Sequence, residues 1–315
     1  MFEKIHIYRP FIPEIIPHLD NALKGKEVIY WHTPKEFEEG LDESVEILFC
    51  HRPPRNLWHK APNLKLIHVF TTGVDAILPA SDLPENVIIA NNQGLTIPQM
   101  PEFAIAMVMA HMKGIPKLID QQKRNEFLPF SHRVISGKTL AIIGLGVIGS
   151  EIAVRAKALG MRVIGTKRQV ADISGVDKVY PSSDLFEVLS QADATIVITP
   201  LTPETENMFN SEAFSKMKTG SIFIDISRGG VTAPEALMEA LNSGHVAGAS
   251  LDVFRPEPLP KESPLWNTKG LIISPHMAGL AHENVTQVAY WMADNVDRLE
   301  RGLPLERVVP INKGY

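Results

Sequence analysis

A short apolar run, Leu140-Ala141-Ile142-Ile143, passes directly into Gly144-Leu145-Gly146-Val147-Ile148-Gly149, and no other stretch constrains the fold of this chain so tightly. The run has the length and character of a buried strand, and the glycines fall in Gly-x-Gly-x-x-Gly spacing. Gly144 permits a tight turn, Gly146 lets the backbone approach a pyrophosphate, and Gly149 lets the following helix lie close to the strand. A helix from about Val147 to Leu159 then aims its free N–H groups and positive dipole end at the phosphates, which adds Val147 and Ile148 to the cofactor-binding candidates. A second strand, Met161-Arg162-Val163-Ile164-Gly165, follows at the distance of a βαβ unit. It ends in Thr166-Lys167-Arg168-Gln169, about twenty residues beyond the glycines, where an NAD site places an acidic residue on the ribose 2′-hydroxyl. Here the charge is reversed. Lys167 and Arg168 favour a 2′-phosphate and so NADP(H), with NAD(H) the alternative if both are only solvated strand-end charges.

At 315 residues and 44% hydrophobic, the chain is long enough for two domains of ordinary size. Lys and Arg number 31 against 36 Asp and Glu, and no run of like charge stands out, which argues against nucleic acid as a partner. The single cysteine, Cys50, excludes an internal disulfide. Because it ends the apolar run Val45-Glu46-Ile47-Leu48-Phe49, it reads as a small core residue rather than a catalytic thiol. Met1 to Tyr8 reads as the start of a strand and not as a signal peptide, and no apolar run approaches the length of a membrane span. A cytoplasmic protein without a membrane partner or a metal site is expected.

Short β-rich runs alternate with helical ones from the start: strands at Ile5–Tyr8, Glu27–Trp31, Glu46–Cys50, Lys65–Phe70 and Val87–Ala90, helices around Ile12–Leu23, Pro34–Gly40 and Arg55–Lys60. That alternation predicts a parallel sheet covered on both faces. Asn91-Asn92-Gln93-Gly94 is loop chemistry, and Pro98 and Pro101 bracket a crossing into a helix from Gln99 to about Gln122. The centre of that helix, Phe103 to Ala110, is apolar nearly all round, so it must be covered by protein, either within the chain or by a second copy. Further strands are expected at Ala194–Thr199, Ser221–Ile226, His245–Val253 and Leu271–Ser274, with helices near Asp184–Gln191, Ser211–Met217 and Pro234–Ser243. A last helix, about His282 to Glu300, is expected to return to the first domain. The fold class is therefore α/β: a Rossmann dinucleotide-binding domain, residues 99–279, inserted in a flavodoxin-like substrate domain of residues 1–98 and 280–315, with a cleft between them.

Ligands in open α/β sheets sit at the carboxyl ends of strands. Arg228 follows Ile224-Asp225-Ile226-Ser227, Asp252 follows Ala249-Ser250-Leu251, Glu257 lies in Arg255-Pro256-Glu257-Pro258, and His276 follows Ile273-Ser274-Pro275. Each alone has an ordinary structural explanation, but together they suit reduction of a 2-oxo acid. Charge developing on the carbonyl oxygen needs a proton donor that titrates near neutrality, which is the property of His. A neighbouring carboxylate holds the imidazole and favours its protonated form. Arg supplies a fixed, bidentate cation for carbonyl and carboxylate oxygens. These roles fall to His276, Glu257 and Arg228.

The chain resembles the D-isomer-specific 2-hydroxyacid dehydrogenases, a family that includes glyoxylate and hydroxypyruvate reductases, D-lactate dehydrogenase, formate dehydrogenase and phosphoglycerate dehydrogenase. The resemblance rests on Thr71-Thr72-Gly73-Val74-Asp75, Ser136-Gly137-Lys138-Thr139-Leu140 with the glycine loop, and Thr199-Pro200-Leu201-Thr202-Pro203-Glu204-Thr205. It continues through Asp225-Ile226-Ser227-Arg228-Gly229, Leu251-Asp252-Val253-Phe254 with Glu257-Pro258, and Ser274-Pro275-His276-Met277-Ala278-Gly279. It implies Arg228, Glu257 and His276 as the catalytic set, Asp252 on the nicotinamide carboxamide, and Thr199 and Ile226 lining the cofactor groove, with Pro200 and Gly279 beside them. It also implies that backbone N–H groups at Gly73 and Val74, next to Thr72, hold the substrate carboxylate, and that the protein is a homodimer joined through its nucleotide domains. Three departures matter. Formate dehydrogenases of the family carry Gln where this chain has Glu257. A Trp found in many members before the nucleotide domain is missing from Asn125-Glu126-Phe127-Leu128-Pro129-Phe130, and the sequence to Tyr315 has no regulatory extension. The implied activity is NADPH-preferring reduction of glyoxylate, hydroxypyruvate or a similar 2-oxo acid. The alternatives are an NAD-dependent D-hydroxy acid or phosphoglycerate dehydrogenase and, in another class, a dinucleotide-sensing protein like the corepressors related to this family.

Overall fold

The computed structural model describes residues 2–9, 13–74 and 76–310. Ile12 at the start of the first expected helix, Asp75 of the Thr71–Asp75 motif, and 311–315 of the expected substrate domain lie outside them. In chain order the elements are β1 (Lys4–Tyr8), α1 (Ile16–Ala22), β2 (Glu27–Trp31), α2 (Pro34–Gly40), β3 (Ile47–Cys50), β4 (Leu66–Val69) and β5 (Ile88–Ala90). There follow α3 (Gln99–Met112), α4 (Ile115–Lys123), β6 (Thr139–Ile143), α5 (Val147–Ala158), β7 (Arg162–Lys167), β8 (Lys178–Pro181), α6 (Leu185–Gln191) and β9 (Ala194–Val197). The last are α7 (Ser211–Lys216), β10 (Ser221–Asp225), α8 (Pro234–Asn242), β11 (Val246–Leu251), β12 (Leu271–Ile273) and α9 (Val285–Glu300).

Two compact units result, Met1–Thr96 with Ala281–Tyr315, and Ile97–Leu280. The first holds a parallel sheet of order β2-β1-β3-β4-β5, the flavodoxin-like arrangement. Alternate strand residues feed two cores: Leu48, Cys50, Ile67 and Ile89 pack on one face, Ile5, Ile7, Ile47 and Phe49 on the other. Val285, Val288, Ala289, Met292 and Val296 of α9 complete the second of these cores, so the last helix is part of the first unit. Cys50 is buried in the other core, and burial pushes its thiol pKa up.

The second unit holds a parallel sheet of order β12-β11-β10-β9-β6-β7-β8, a Rossmann sheet with one further strand at the β12 edge. Every residue of β6 and of β10 is buried, as strands covered on both faces require. Leu140, Ile142, Ile222 and Ile224 face α3 and α5, while Ala141, Ile143 and Phe223 face a core shared with α6, α7 and α8.

Four expectations need correction. The helix over Arg55–Lys60 shrinks to a single 3₁₀ turn at Trp58–Lys60, because Asn56 takes a left-handed backbone and the Trp58 N–H donates to Asp82 Oδ2 at 2.9 Å. The helix from Gln99 to Gln122 is two helices, broken at left-handed Gly114, where Pro116 lacks the N–H that would continue the ladder. The strand β8 is not among the expected ones, since Lys178-Val179-Tyr180-Pro181 is too short to show an alternation and pairing with β7 makes it a strand. The strands expected to reach Thr199, Ile226, Val253 and Ser274 leave the sheet one or two residues sooner, at Val197, Asp225, Leu251 and Ile273. Most of the α3 apolar surface is covered within its own unit by α5 and the sheet, and the exposed apolar side chains beside it belong to α4, Ile115, Leu118 and Ile119.

Candidate active site

The order of the second sheet reverses between β6 and β9, which is where a doubly wound sheet opens a crevice at its carboxyl edge. Gly144 directly follows β6 with φ of +112°, and a Cβ there would lie 2.7 Å from the Ile198 carbonyl oxygen just past β9. A Cβ on Gly149 would lie 2.3 Å from the Gly144 carbonyl, so the helix start and the turn approach as only glycine allows. At Gly146 the same test finds open space, and this residue caps α5 with no side chain closing over its N-terminus. Val147 in the first turn is 70% exposed, whereas Ile148 packs partly into the core. The Thr199 hydroxyl on the other rim of the crevice is buried with no hydrogen-bond partner among the described residues. Bare helix N–H groups, a vacant approach at Gly146 and an orphaned hydroxyl fit a dinucleotide pyrophosphate. Lys167, at the end of β7, donates from Nζ to the Leu145 carbonyl at 2.6 Å, which holds its ammonium against the glycine loop. Arg168 is exposed next to it. Pro200 is exposed, Ile226 is buried, and the Gly279 carbonyl accepts from Gln99 Nε2 at 3.1 Å.

The loops after β10, β11 and β12 bring the other candidates together. His276 Nδ1 lies 2.9 Å and 3.1 Å from the two carboxylate oxygens of Glu257. An ionised carboxylate only accepts, so Nδ1 carries the proton of that hydrogen bond. Glu257 is itself fixed, because its Oε1 also accepts the Phe254 N–H at 2.8 Å. The His276 backbone is left-handed, φ +54°, which is strained for any residue but glycine. Asp252 braces it. Its Oδ1 accepts the Met277 N–H at 2.9 Å and the Ser274 hydroxyl at 2.6 Å, and its Oδ2 accepts the Ala278 N–H at 2.8 Å. Burial pushes the Asp252 carboxyl above its usual range against the pull of these donors.

Arg228 follows a second buried carboxylate. Asp225 accepts the Ser227 N–H at 2.9 Å, the Ser227 hydroxyl, and the Thr232 hydroxyl at 2.6 Å, which ties both ends of the loop carrying Arg228 to the tip of β10. Burial raises its pKa as well. This support was missed in the sequence, although Asp-x-Ser after a strand is the signature of an Asx turn. Arg228 Nη1 donates to the Ser227 carbonyl at 2.8 Å. In the first unit, Thr72, Gly73 and Val74 occupy the loop directly after β4. Among the described residues no cluster of His, Cys, Asp or Glu is arranged to hold a metal, and no helix is long and apolar enough to cross a membrane.

Comparison with known proteins adds to this geometry. Residues 105–278 match the family model described as D-isomer specific 2-hydroxyacid dehydrogenase, NAD binding domain. Glycerate dehydrogenase of Methylorubrum extorquens is 33% identical over 86% of this chain and 88% of its own length. D-3-phosphoglycerate dehydrogenase of Bacillus subtilis is 36% identical over 79% of the chain, which spans only 48% of that protein. Among solved structures, the NADPH-dependent glyoxylate/hydroxypyruvate reductase of Sinorhizobium meliloti, in complex with NADP and sulfate, superposes with a TM-score of 0.83 at 31% identity, covering 99% of this chain and all of that one. This protein accordingly belongs to the D-isomer-specific 2-hydroxyacid dehydrogenases, oxidoreductases that act on the CH–OH group of 2-hydroxy acids with a nicotinamide dinucleotide.

Proposed function

We propose that the chain reduces small 2-oxo acids, glyoxylate and hydroxypyruvate foremost, to D-2-hydroxy acids, with NADPH preferred over NADH. The observation that carries this reading is the contact of His276 Nδ1 with Glu257 at 2.9 Å, made by a carboxylate whose side chain is only 12% exposed. When bound, the reduced nicotinamide supplies the hydride. His276 gives its Nε2 proton to the carbonyl oxygen as charge builds there, and Glu257 stabilises the imidazolium that does so. Arg228 offers paired N–H donors that polarise the carbonyl and orient the acid. The N–H groups of Gly73 and Val74, with Thr72 beside them, hold the substrate carboxylate. Gly144, Gly146, Val147, Ile148 and Gly149 take the pyrophosphate; Thr199, Pro200, Ile226, Asp252 and Gly279 flank the rest of the cofactor.

Lys167, held at the glycine loop, and Arg168 supply positive charge for a 2′-phosphate, and the NADPH dependence named for the Sinorhizobium meliloti relative supports that preference. A homodimer joined through the second unit is supported by apolar side chains left in solvent there: Leu118, Ile119, Leu128, and Phe127, which is fully exposed.

The test is steady-state oxidation of NADPH and, separately, NADH with glyoxylate, hydroxypyruvate, pyruvate and phenylpyruvate. His276→Ala is expected to lose turnover while still binding NADPH, and full activity in that variant overturns the mechanism. A higher kcat/KM with NADH returns Lys167 and Arg168 to the role of solvated charges. Turnover confined to NAD and a D-hydroxy acid or phosphoglycerate selects the dehydrogenase alternative. Cofactor binding without turnover of any acid selects the dinucleotide-sensing one.

A further inference from the structure

The loop after β4 is tied down by its carbonyl groups. Asn91 Nδ2, just past β5, donates to the Thr72 carbonyl at 2.7 Å, and the Thr71 hydroxyl donates to the Gly73 carbonyl at 2.9 Å. A trans peptide unit is planar, with its C=O and N–H pointing in opposite directions. Fixing the Thr72 carbonyl therefore aims the Gly73 N–H the other way, and fixing the Gly73 carbonyl does the same for the Val74 N–H. Among the described residues neither of these two N–H groups donates to a protein acceptor. Two successive backbone donors, each held by a side-chain contact to the carbonyl of its own peptide, can serve together as an anion site.

The groups that impose it are themselves held on several sides. Asn91 is buried: its Oδ1 accepts the Gln93 N–H at 3.1 Å, its N–H donates to the Arg307 carbonyl at 3.2 Å, and its carbonyl accepts from Nε2 of fully buried His68 at 3.2 Å. Asn92 secures the start of the same loop, with its N–H on the Thr71 carbonyl at 3.1 Å and its Nδ2 on the Val69 carbonyl at 3.0 Å. On the far side, the Val74 carbonyl accepts the Ile77 and Leu78 N–H groups at 2.8 Å and 2.9 Å. The loop is thus preset by its own contacts, which lowers the cost of orienting its donors when an anion binds.

We infer that Asn91, with Thr71 in support, is a positioning residue that presets the Gly73 and Val74 N–H groups for a carboxylate, and so sets the preference of the enzyme for free 2-oxo acids over uncharged carbonyl compounds. This rests on the proposed role of Gly73 and Val74. Asn91→Leu keeps the approximate volume and removes the donor, freeing the Thr72–Gly73 peptide to rotate.

The experiment compares kcat and KM for glyoxylate with those for uncharged glyoxylamide at saturating NADPH, in wild type, Asn91→Leu, Thr71→Val and Thr71→Ser, with NADPH titration and a thermal melt as controls for folding. Wild type is expected to favour glyoxylate in kcat/KM. In Asn91→Leu the KM for glyoxylate rises about tenfold or more, as loss of a hydrogen bond to a charged group gives, while kcat and NADPH affinity change less. Thr71→Val shows a smaller rise that Thr71→Ser restores. A folded Asn91→Leu that keeps both its KM and its preference for the acid overturns the positioning role. If Asn91→Leu does not melt cooperatively, the Thr71 pair decides: an unchanged KM in Thr71→Val overturns the inference. A wild type that does not prefer glyoxylate to glyoxylamide overturns the underlying role of Gly73 and Val74 instead.

Discussion

Replacing Gly229 with alanine puts a methyl group into backbone. The added Cβ would lie 1.8 Å from the Phe254 carbonyl oxygen, 2.2 Å from its carbon and 2.9 Å from the Arg255 nitrogen. None of these atoms is the end of a flexible side chain, so the loops after β10 and β11 must part by more than an ångström to restore ordinary contact. Overpacking of this kind costs about 1–3 kcal/mol. The larger consequence is positional. Arg228 is the neighbouring residue, and the Phe254 N–H holds Glu257, which holds His276. A shift of about 1 Å in reacting groups lowers rate by about a hundredfold. The glycine loop after β6 is separated from the disturbed loops by β9, so the pyrophosphate end of the site should persist, and NADPH affinity, weakened only through Ile226 and Asp252 beside those loops, should fall less than kcat/KM. The assay is kcat/KM for glyoxylate with NADPH, beside NADPH titration and a thermal melt. A Gly229→Ala enzyme with wild-type kcat/KM and an unchanged Tm would refute the reasoning, because it would mean that the two loops can separate without moving Arg228 or Glu257.

Three further outcomes follow from the same structure. Lys167→Ala should lower kcat/KM about tenfold with NADPH, from loss of one charge-assisted contact, and leave NADH nearly unaffected; equal losses with both cofactors would place Lys167 outside 2′-phosphate recognition. Burial pushes His111, whose Nε2 lies 2.9 Å from the Ser250 hydroxyl, down to about 4, so the folded chain keeps the ring neutral where the unfolded chain takes up a proton. Its contribution to stability is therefore present above pH 6.5 and is lost as pH falls toward 4, by up to about 1.4 kcal/mol per pH unit, and the Tm of His111→Gln should fall less than that of wild type between pH 7 and pH 5. Parallel Tm profiles would exclude His111 as a source of acid lability. If the proposed homodimer is joined through this surface, Phe127→Asp combined with Leu118→Asp lowers the mass in sedimentation velocity from dimer to monomer, and a wild-type dimer whose mass the pair leaves unchanged would refute that contact.

The parts of the site that were legible from residues alone are those in which one residue type is required by chemistry at a local spacing. Gly144, Gly146 and Gly149 are readable because only glycine tolerates the turn and the close approach, and both constraints act within six consecutive residues. Arg228, Glu257 and His276 are readable as candidates because they lie in the short segments that follow apolar runs in a chain whose alternating rhythm announces a parallel sheet. The supports are less legible. Asp225 bracing the Arg228 loop, Asp252 bracing left-handed His276, and Asn91 turning the Thr72–Gly73 peptide act on residues from two to 26 positions away, and nothing local marks which carbonyl or N–H each will meet. The strand β8 shows the same limit: Lys178–Pro181 lacks a pattern of its own and becomes a strand by pairing with β7.

What the sequence determined by itself is therefore the fold class and the family, because hydrophobic period, glycine spacing and side-chain chemistry are properties of short segments. Tertiary structure decided where the helix over Gln99–Gln122 breaks, how far each strand runs before releasing the loop that follows it, and which way the peptides and rings of those loops face. Those outcomes depend on hydrogen bonds and packing between segments far apart in the chain. A buried carboxylate or amide takes whichever donors or acceptors the fold brings to it, since leaving it without them costs more than any local preference it overrides.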